Sequence, residues 1–329
     1  PICVDRQNEL QFIGLNAGVD DSDSALSLAL LSQVRALPYI HKASEVVTDK
    51  FEHLAQQKSI AYAKIITLQR SFDVVNIDLC GSFAENLSGA TEPNIPTAIY
   101  SLLKHQLQHR AKDWLFFITT RSDRSAVNSK TMESFVKWLN EQIANNLALK
   151  DTIIEKKLLS ADEFDDNLIA IERLSPQSHS NVLSMGLGHW ILDALIKTAP
   201  AWRADMLPQY EYHVTMQESS CDMLSLGFYC KKIPQQAHSD SFNIASPIAT
   251  ASGNLIEIAT NCGMKIQRRI TERIDIDLHL HKNSEEYDTA LEGSAELLAS
   301  AHYDVDAYRK WATEKQAETI DFLTRFGLT

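Results

Sequence analysis

A short run of apolar residues in the first third of the chain predicts a buried β-strand. The run covers residues 74–79, is rich in β-branched side chains and stops before Gly81. A run of this length that ends at a turn signal is typical of a strand buried on both faces. Residues 96–110 then have apolar side chains at helical spacing, and residues 114–120 form a second apolar run. This order predicts strand, helix and parallel strand, the crossover unit of an α/β sheet.

The ends of these two strands are where a functional site is expected. In open α/β sheets, ligands bind just past the carboxyl ends of the strands. Residues 78–82 (Asp-Leu-Cys-Gly-Ser) end the first strand, and residues 119–123 (Thr-Thr-Arg-Ser-Asp) end the second. We therefore expect both segments to contribute to one site.

The residues before this unit predict two further strands and two helices. Residues 9–16 form a short apolar run that ends at Asn16. The acidic residues 20–23 then offer N-caps for a helix that a proline ends. A helix over residues 44–63 and a strand over residues 64–68 follow. We interpret the acidic cluster as a cap and a solvated turn, with contact to a ribose or a cation as the alternative.

The chain beyond residue 123 predicts a long helix, a glycine turn and a hairpin. The helix covers residues 129–147. Gly186 and Gly188 precede a second helix, but no strand leads into them and no third glycine follows, so we interpret them as a packing turn rather than a phosphate site. Residues 210–216 and 223–230 predict an antiparallel hairpin, because a short polar segment connects two strand-like runs. The hairpin would close the edge of the sheet.

Residues 273–281 alternate strictly between apolar and polar side chains, which predicts a half-buried strand. Its polar positions are Asp275, Asp277, His279 and His281. These side chains are suitable metal ligands, and neighbours about 6.5 Å apart on a strand could share one ion. A solvated strand face explains the same pattern more simply, so we predict no metal centre.

Composition excludes several classes of protein. The 329 residues are 44% hydrophobic and 22% charged, and no stretch approaches the roughly 20 apolar residues that span a bilayer. The first residues lack a signal-peptide pattern, so we expect a cytoplasmic protein without membrane association. The five cysteines are scattered and odd in number, which disfavours a disulfide framework and a C-x-x-C zinc site.

The formal net charge of −12 disfavours tight, sequence-independent binding of nucleic acid, which needs Lys and Arg against the phosphates. A nucleic-acid partner is left open only through a local groove, not through a strongly basic surface. The last 45 residues predict two helices, over 284–302 and 304–327. We expect these helices to pack on the main domain, with a protein-binding surface as the alternative.

The central segment resembles class I S-adenosylmethionine-dependent methyltransferases. The end of the first predicted strand, residues 78–82, resembles the end of the fourth strand of that fold. The helix that follows and residues 115–119 resemble its next helix and its fifth strand, and the hairpin resembles its terminal antiparallel pair. The detailed likeness is to enzymes that methylate the exocyclic nitrogen of guanine in transfer RNA, whose fourth strand ends in a D-P-F-G-S motif. The resemblance implies an α/β fold with a mostly parallel Rossmann-like sheet flanked by helices, an antiparallel edge hairpin and a helical C-terminal appendage. A methyltransferase-like domain would cover residues 1–235, and the appendage would cover residues 236–329.

The resemblance also implies roles for particular residues. Asp78 would be the catalytic residue that orients the target amine, and S-adenosylmethionine would be the cofactor. The cofactor-binding positions would be Asn16, Asp20, Asp78, Cys80 and Gly81. The chain departs from the family at Leu79 and Cys80, which replace the proline and the aromatic residue of the base pocket. It also has Asn16 in place of the usual acidic residue at the ribose, and no glycine-rich loop follows an N-terminal strand.

Two functions therefore remain open from the sequence. In the first, the protein is a methyltransferase in which alignment of two bound reactants supplies most of the catalysis. In the second, it is a catalytically inactive methyltransferase-like subunit that binds a protein partner in a bacterial defence or regulatory complex, through the C-terminal helices. The Asp-x-x-Gly-Ser sequence at 78–82 favours the first, and the missing glycine loop favours the second.

Overall fold

The computed structural model describes residues 8–17, 31–69, 71–85, 93–146, 148–238, 242, 244, 248–251, 254–300 and 303–328. The chain divides into two compact units. The first unit comprises Pro1–Arg70, Thr91–Leu102 and Leu280–Thr329, and the second comprises Ser71–Ala90 and Leu103–His279. In the part of the chain that is described, no helix combines the length and the apolar character needed to cross a membrane.

The strands in chain order are β1 (Ile13–Leu15), β2 (Glu45–Val47), β3 (Val74–Asp78), β4 (Trp114–Arg121), β5 (Phe164–Asp165), β6 (Leu168–Ile169), β7 (Trp202–Met206), β8 (Tyr210–Tyr212), β9 (Met223–Lys232), β10 (Gln235–His238), β11 (Ile248–Ala251) and β12 (Ile274–Asp275). Besides the helical residues 31–35, the α-helices in the described part of the chain are α1 (Ile95–His109), α2 (Ser129–Asn145), α3 (Ala148–Glu155), α4 (Pro176–Ile196), α5 (Leu255–Thr271), α6 (Ile276–Lys282), α7 (Ser284–Ser300) and α8 (Val305–Arg325). Short 3-10 helices cover Phe51–Ala55, Ala161–Glu163 and Ile171–Arg173, and a π-helix covers Tyr62–Thr67.

The main sheet of the second unit is mixed, not mostly parallel as expected. Its strand order is β12-β8-β9-β4-β3, and β7 also pairs with β9. The predicted crossover is present, since β3 and β4 are parallel and α1 lies between them in the chain. However, β9 runs antiparallel to β4, β7 and β8. β7 and β8 follow each other along one side of β9, and the connection over residues 213–222 turns the chain back into β9. The predicted hairpin is confirmed, but its second strand lies inside the sheet and not at the edge.

The strand β3 is half-buried, which corrects the prediction that both of its faces are covered. Val75 and Ile77 are buried, whereas Val74 is 52% exposed, and the exposed side chains alternate along the strand. Among the described residues, β3 pairs with β4 alone. Its outer edge is therefore unpaired there, and its sequence alternates between the two environments as in a sheet with one solvated face.

Helix α4 is the buried centre of the second unit, and it includes the residues predicted to form a glycine turn. Ser175 caps it by accepting a hydrogen bond from the backbone N–H of Ser178, and Pro176 occupies the first helical turn, where its missing N–H costs nothing. Gly186 and Gly188 lie inside the helix, where side chains of neighbouring elements pack against them. Close packing is thus confirmed as their role, in a helix instead of a turn.

Three other predicted elements are wrong for local reasons. Residues 44–63 form β2 and a 3-10 helix, because Glu45–Val47 pairs in parallel with Ile13–Leu15 and is held in a strand. Residues 64–68 continue a π-helix and form no strand. Residues 273–281 form only the two-residue strand β12 before α6 begins, since Asp275 accepts a hydrogen bond from the backbone N–H of Leu278 and starts a helical turn.

The two C-terminal helices, α7 and α8, are confirmed in the first unit. They contact each other, and the hydroxyl of Tyr287 donates a hydrogen bond to the carbonyl of Ala312 at 3.1 Å. Helix α5, which also follows residue 235, belongs to the second unit and packs on α4 and β7. The division into domains at residues 235 and 236 stays a prediction.

Candidate functional site

The pairing of the strands brings polar side chains to one edge of the main sheet. A single row crosses the sheet from Asp78 through Thr119 and Ser225 to Tyr210, and it continues to Ile274. Because β9 runs opposite to its neighbours, this edge holds the carboxyl ends of β3, β4, β8 and β12 together with the amino end of β9. The two segments that the sequence placed at one site therefore do meet, and the hairpin adds residues that were not expected.

The segment after β3 is anchored to β4 by its backbone. The N–H of Leu79 donates to the carbonyl of Thr119, and the N–H of Arg121 donates to the carbonyl of Gly81, both at 3.0 Å. The N–H of Phe83 donates to the hydroxyl of Thr120 at 2.7 Å. These bonds leave the side chains of Asp78 and Cys80 exposed at the edge of the sheet.

The predicted site residues are only partly brought together. Asp78, Cys80 and Gly81 lie in sequence at the edge of the second unit. Gly81 is covered by the carboxylate of Glu85, whose Oε1 would lie 1.6 Å from a Cβ at that position. Asn16 belongs to the first unit, where its N–H donates to the carbonyl of Val47 at 3.1 Å. Asp20 lies outside the described residues.

Tyr212, at the end of β8, is a member of this site that the sequence analysis missed. Burial raises the pKa of its hydroxyl, and the negative charges of Asp78, Asp222 and Asp277 raise it further. Carboxylates from three segments of the chain therefore act on Tyr212. The sequence placed Tyr212 inside the predicted strand 210–216, so nothing marked it as the end of a strand, whereas β8 ends at Tyr212.

The connection between β8 and β9 is folded around the carboxylate of Asp222. This carboxylate accepts hydrogen bonds from the backbone N–H groups of Val214 at 2.7 Å and of Thr215 at 2.8 Å. The backbone carbonyl of Asp222 accepts the N–H of Ser122 at 2.9 Å, which joins the connection to the end of β4. Burial would raise the pKa of Asp222, but its hydrogen bonds and the charge of Arg121 lower it.

His213, Cys221 and Asp275 form a compact cluster beside this connection. Their potential ligand atoms all lie within 4.8 Å of one another, and His213 and Cys221 are buried. The Sγ of Cys221 lies 3.6 Å from the Nδ1 of His213, and the carboxylate of Asp277 lies 2.9 Å from the same nitrogen. The sequence grouped Asp275 with its neighbours on one strand face, but the fold groups it with two residues of the hairpin.

Electrostatic interactions in the cluster are strong. Burial disfavours the charged imidazole of His213, but the hydrogen bond to Asp277 and the charge of that carboxylate outweigh it and raise the pKa. Burial raises the pKa of the Asp275 carboxyl. Burial also raises the pKa of the Cys221 thiol, as do the carboxylates around it. The carboxylates of Asp277 and Asp275 therefore favour the positively charged form of His213.

A buried ion pair holds β12 against β8. The guanidinium of Arg273 donates to the carboxylate of Glu211 at 2.8 Å and to the hydroxyl of Ser180 at 3.2 Å. Its Nε donates to the side-chain oxygen of Gln209 at 3.2 Å, and the backbone carbonyl of Gln209 accepts the N–H of Ile274. These contacts fix the position of Asp275, two residues further along.

Comparison with known proteins identifies the family of the chain. No curated protein and no solved structure is significantly similar to it. Residues 1–313, which are nearly the whole chain, match the model of one family. The chain belongs to the PP_RS20740-like family.

Proposed function

We propose that this chain is a methyltransferase-like protein that binds S-adenosylmethionine at the carboxyl edge of the main sheet and transfers the methyl group to an amine of a nucleic acid or a small molecule. The observation that carries the proposal is the row that joins Asp78 to Thr119 and onward to the hairpin strands. This row places the ends of β3 and β4, the two segments that resemble the methyltransferases, at one edge of the main sheet.

The arrangement of the strands supports the proposal. A parallel pair, β3 and β4, with an intervening helix is followed by an antiparallel hairpin whose strand β9 lies next to β4. This is the part of the methyltransferase fold that the central segment and the hairpin resemble. Open α/β sheets bind ligands at this edge.

The side chains at the edge suit a cationic ligand. S-adenosylmethionine would supply an electrophilic methyl group on a positively charged sulfur. Burial raises the pKa of the Tyr212 hydroxyl, and the negative charges of Asp78, Asp222 and Asp277 raise it further. Asp78, Cys80 and Gly81 are the residues of the second unit that would contact the cofactor.

Asp78 would act by positioning the acceptor. Its exposed carboxylate can accept a hydrogen bond from an amine N–H, which directs the nitrogen lone pair at the methyl carbon and stabilises the positive charge that develops on nitrogen. A carboxylate at this point can also receive the proton that the methylated amine releases.

The test is calorimetric titration of the folded chain with S-adenosylmethionine. We expect micromolar binding that Asp78→Ala weakens at least tenfold. Asp73→Ala is the matched control, because Asp73 is an exposed aspartate just before the same strand, at its opposite end, and we expect it to bind as the unchanged chain does. No heat of binding by the folded chain at any attainable concentration would exclude use of this cofactor by the chain alone.

A second function, a catalytically inactive methyltransferase-like subunit, is favoured by the outer edge of β3. In the described part of the chain no strand pairs with that edge, and no glycine-rich loop accompanies it.

Trp311 in α8 is 55% exposed, which suits a protein-binding surface. If a candidate partner forms a stoichiometric complex in co-expression, Trp311→Ala should weaken that complex, whereas Asp78→Ala should not. Equal effects of the two changes would reject binding through α8.

A further inference from the structure

We propose that His213, Cys221 and Asp275 form a binding site for a divalent transition-metal ion, with Zn²⁺ as the ion that the ligand set suits best. The three residues come from the end of β8, the start of β9 and the end of β12. The site is independent of the proposed methyl transfer and would be present whether or not the chain binds S-adenosylmethionine.

The distances match those between ligands of one ion. Zn²⁺ lies about 2.0 Å from imidazole nitrogen and about 2.3 Å from thiolate sulfur, so a tetrahedral angle places the two ligand atoms about 3.5 Å apart. The Nδ1 of His213 and the Sγ of Cys221 are 3.6 Å apart. The carboxylate oxygen of Asp275 completes a set that lies within 4.8 Å, a span that one ion can bridge with small side-chain movements.

The chemistry of the ligands selects the class of metal. A soft thiolate together with an imidazole favours Zn²⁺ and Co²⁺ over Mg²⁺ and Ca²⁺, which prefer a shell of oxygen atoms. The ion would displace the proton of the Cys221 thiol to solvent. It would also balance the carboxylates of Asp275 and Asp277, which lie at a partly buried site with one imidazole.

The surrounding structure holds the ligands in position. Asp277 accepts a hydrogen bond from the backbone N–H of His213 at 2.7 Å, which fixes the backbone that carries the imidazole. The other ring nitrogen of His213, Nε2, lies 3.5 Å from the backbone carbonyl of Ser219, and a carbonyl that accepts the second N–H of a histidine ligand is a common feature of metal centres. When Nδ1 binds the ion, the Asp277 oxygen 2.9 Å from it loses its hydrogen bond to that nitrogen and faces the ion. Asp222 fixes the connection that carries Cys221, and the Arg273–Glu211 ion pair fixes the strand that carries Asp275.

This site carries no sequence motif, because its ligands lie far apart in the chain. His213 and Cys221 are separated by the turn of a hairpin, and Asp275 follows about fifty residues later. A search for closely spaced cysteine and histidine pairs therefore passes over it. Only the pairing of β8 with both β9 and β12 brings the three side chains together.

The test uses metal content and spectroscopy, neither of which depends on catalytic activity. The full chain, freed of metal with a chelator, is mixed with Zn²⁺, desalted and analysed by mass spectrometry, and separately titrated with Co²⁺. We expect one Zn²⁺ per chain and a thiolate-to-cobalt absorption band in the near ultraviolet. Cys221→Ala should abolish the band and weaken Zn²⁺ binding at least tenfold.

Cys230→Ala is the matched control, because Cys230 is also a buried cysteine of the hairpin but lies outside the cluster. It should keep both the metal and the band. Asp275→Asn, which preserves the shape of the side chain, should weaken Zn²⁺ binding even if Cys221→Ala fails to fold, as judged by circular dichroism. Equal metal content in the unchanged chain and in folded Asp275→Asn would overturn the proposal. Loss of the band from folded Cys230→Ala but not from Cys221→Ala would do the same.

Discussion

The ring of Phe135 in α2 lies directly against Gly186 in α4, where a Cβ would come within 2.2 Å of the ring. Gly186 therefore allows two helices of the second unit to pack in direct contact. A methyl group at this position has to displace the half-buried aromatic ring of Phe135.

Gly186→Ala should lower the free energy of unfolding by about 1–3 kcal/mol, the usual cost of overpacking. Gly293→Ala is the control, because Gly293 lies in the helix α7 with nothing within 4 Å of its added Cβ. It should be neutral or raise stability by up to about 1 kcal/mol, since alanine favours a helix. Denaturant unfolding measures both, and equal effects would contradict the packing described for Gly186.

Glu163 joins a 3-10 helix to the start of α4 through three hydrogen bonds. Its carboxylate accepts from the backbone N–H groups of Ser160 at 2.7 Å and Ser175 at 2.6 Å, and from the hydroxyl of Ser178 at 2.8 Å. Glu163→Gln turns one acceptor oxygen into an NH₂ group that faces a donor. We expect a loss of about 1–3 kcal/mol in unfolding free energy, against little change for the exposed Glu172→Gln.

The same carboxylate makes stability depend on acid pH. Burial raises the pKa of Glu163, but its hydrogen bonds outweigh that effect and lower it below the usual 4.5. A carboxyl whose pKa is lower in the folded state stabilises the fold above its unfolded pKa and loses that effect as the pH falls through its folded pKa. Below about pH 4.5, the unchanged chain should therefore lose more stability than Glu163→Gln. Parallel pH profiles of the two would contradict this.

His189 should make stability depend on pH in a higher range. It packs on Trp138, with ring centroids 4.4 Å apart, and burial lowers its pKa to about 4. Between the usual value of 6.5 and about 4, the unfolded chain binds a proton that the folded chain does not, so stability falls as the pH falls. The loss by pH 4 is at most about 3 kcal/mol.

Phenylalanine at position 189 keeps an aromatic ring on Trp138 and removes the titrating group. His189→Phe should therefore flatten the stability profile between about pH 6.5 and pH 4. The prediction fails if thermal unfolding shows the same slope for His189→Phe as for the unchanged chain.

Arg273 and Glu211 provide a fourth test, on a buried ion pair. Arg273→Met leaves the carboxylate of Glu211 without its partner, and we expect a loss of about 3–5 kcal/mol in unfolding free energy. The double change with Glu211→Leu should cost less, because both charges are then removed from the interior. Arg309→Met, which breaks an exposed pair with Glu292, should have little effect. Additive losses in the double variant would argue against a coupled pair.

The strands of the main sheet and the local elements that connect them were largely predictable from the sequence. The crossover of β3, α1 and β4, the helix α2 and the hairpin of β8 and β9 each follow from periodicity and turn residues. The predictions were wrong where a local sequence pattern is compatible with two different secondary structures. The alternation at 273–281 became a short strand and a helix, and Gly186 and Gly188 became contact points inside α4.

By itself, the sequence determined the periods of its apolar residues and the types of side chain at the strand ends, because these depend on neighbours in the chain. It therefore led to Asp78 and the edge of the sheet. The tertiary structure decided the order of the strands, since hydrogen bonds between strands depend on partners distant in the chain. The insertion of β9 beside β4, and the meeting of His213 and Cys221 with Asp275, result from that order.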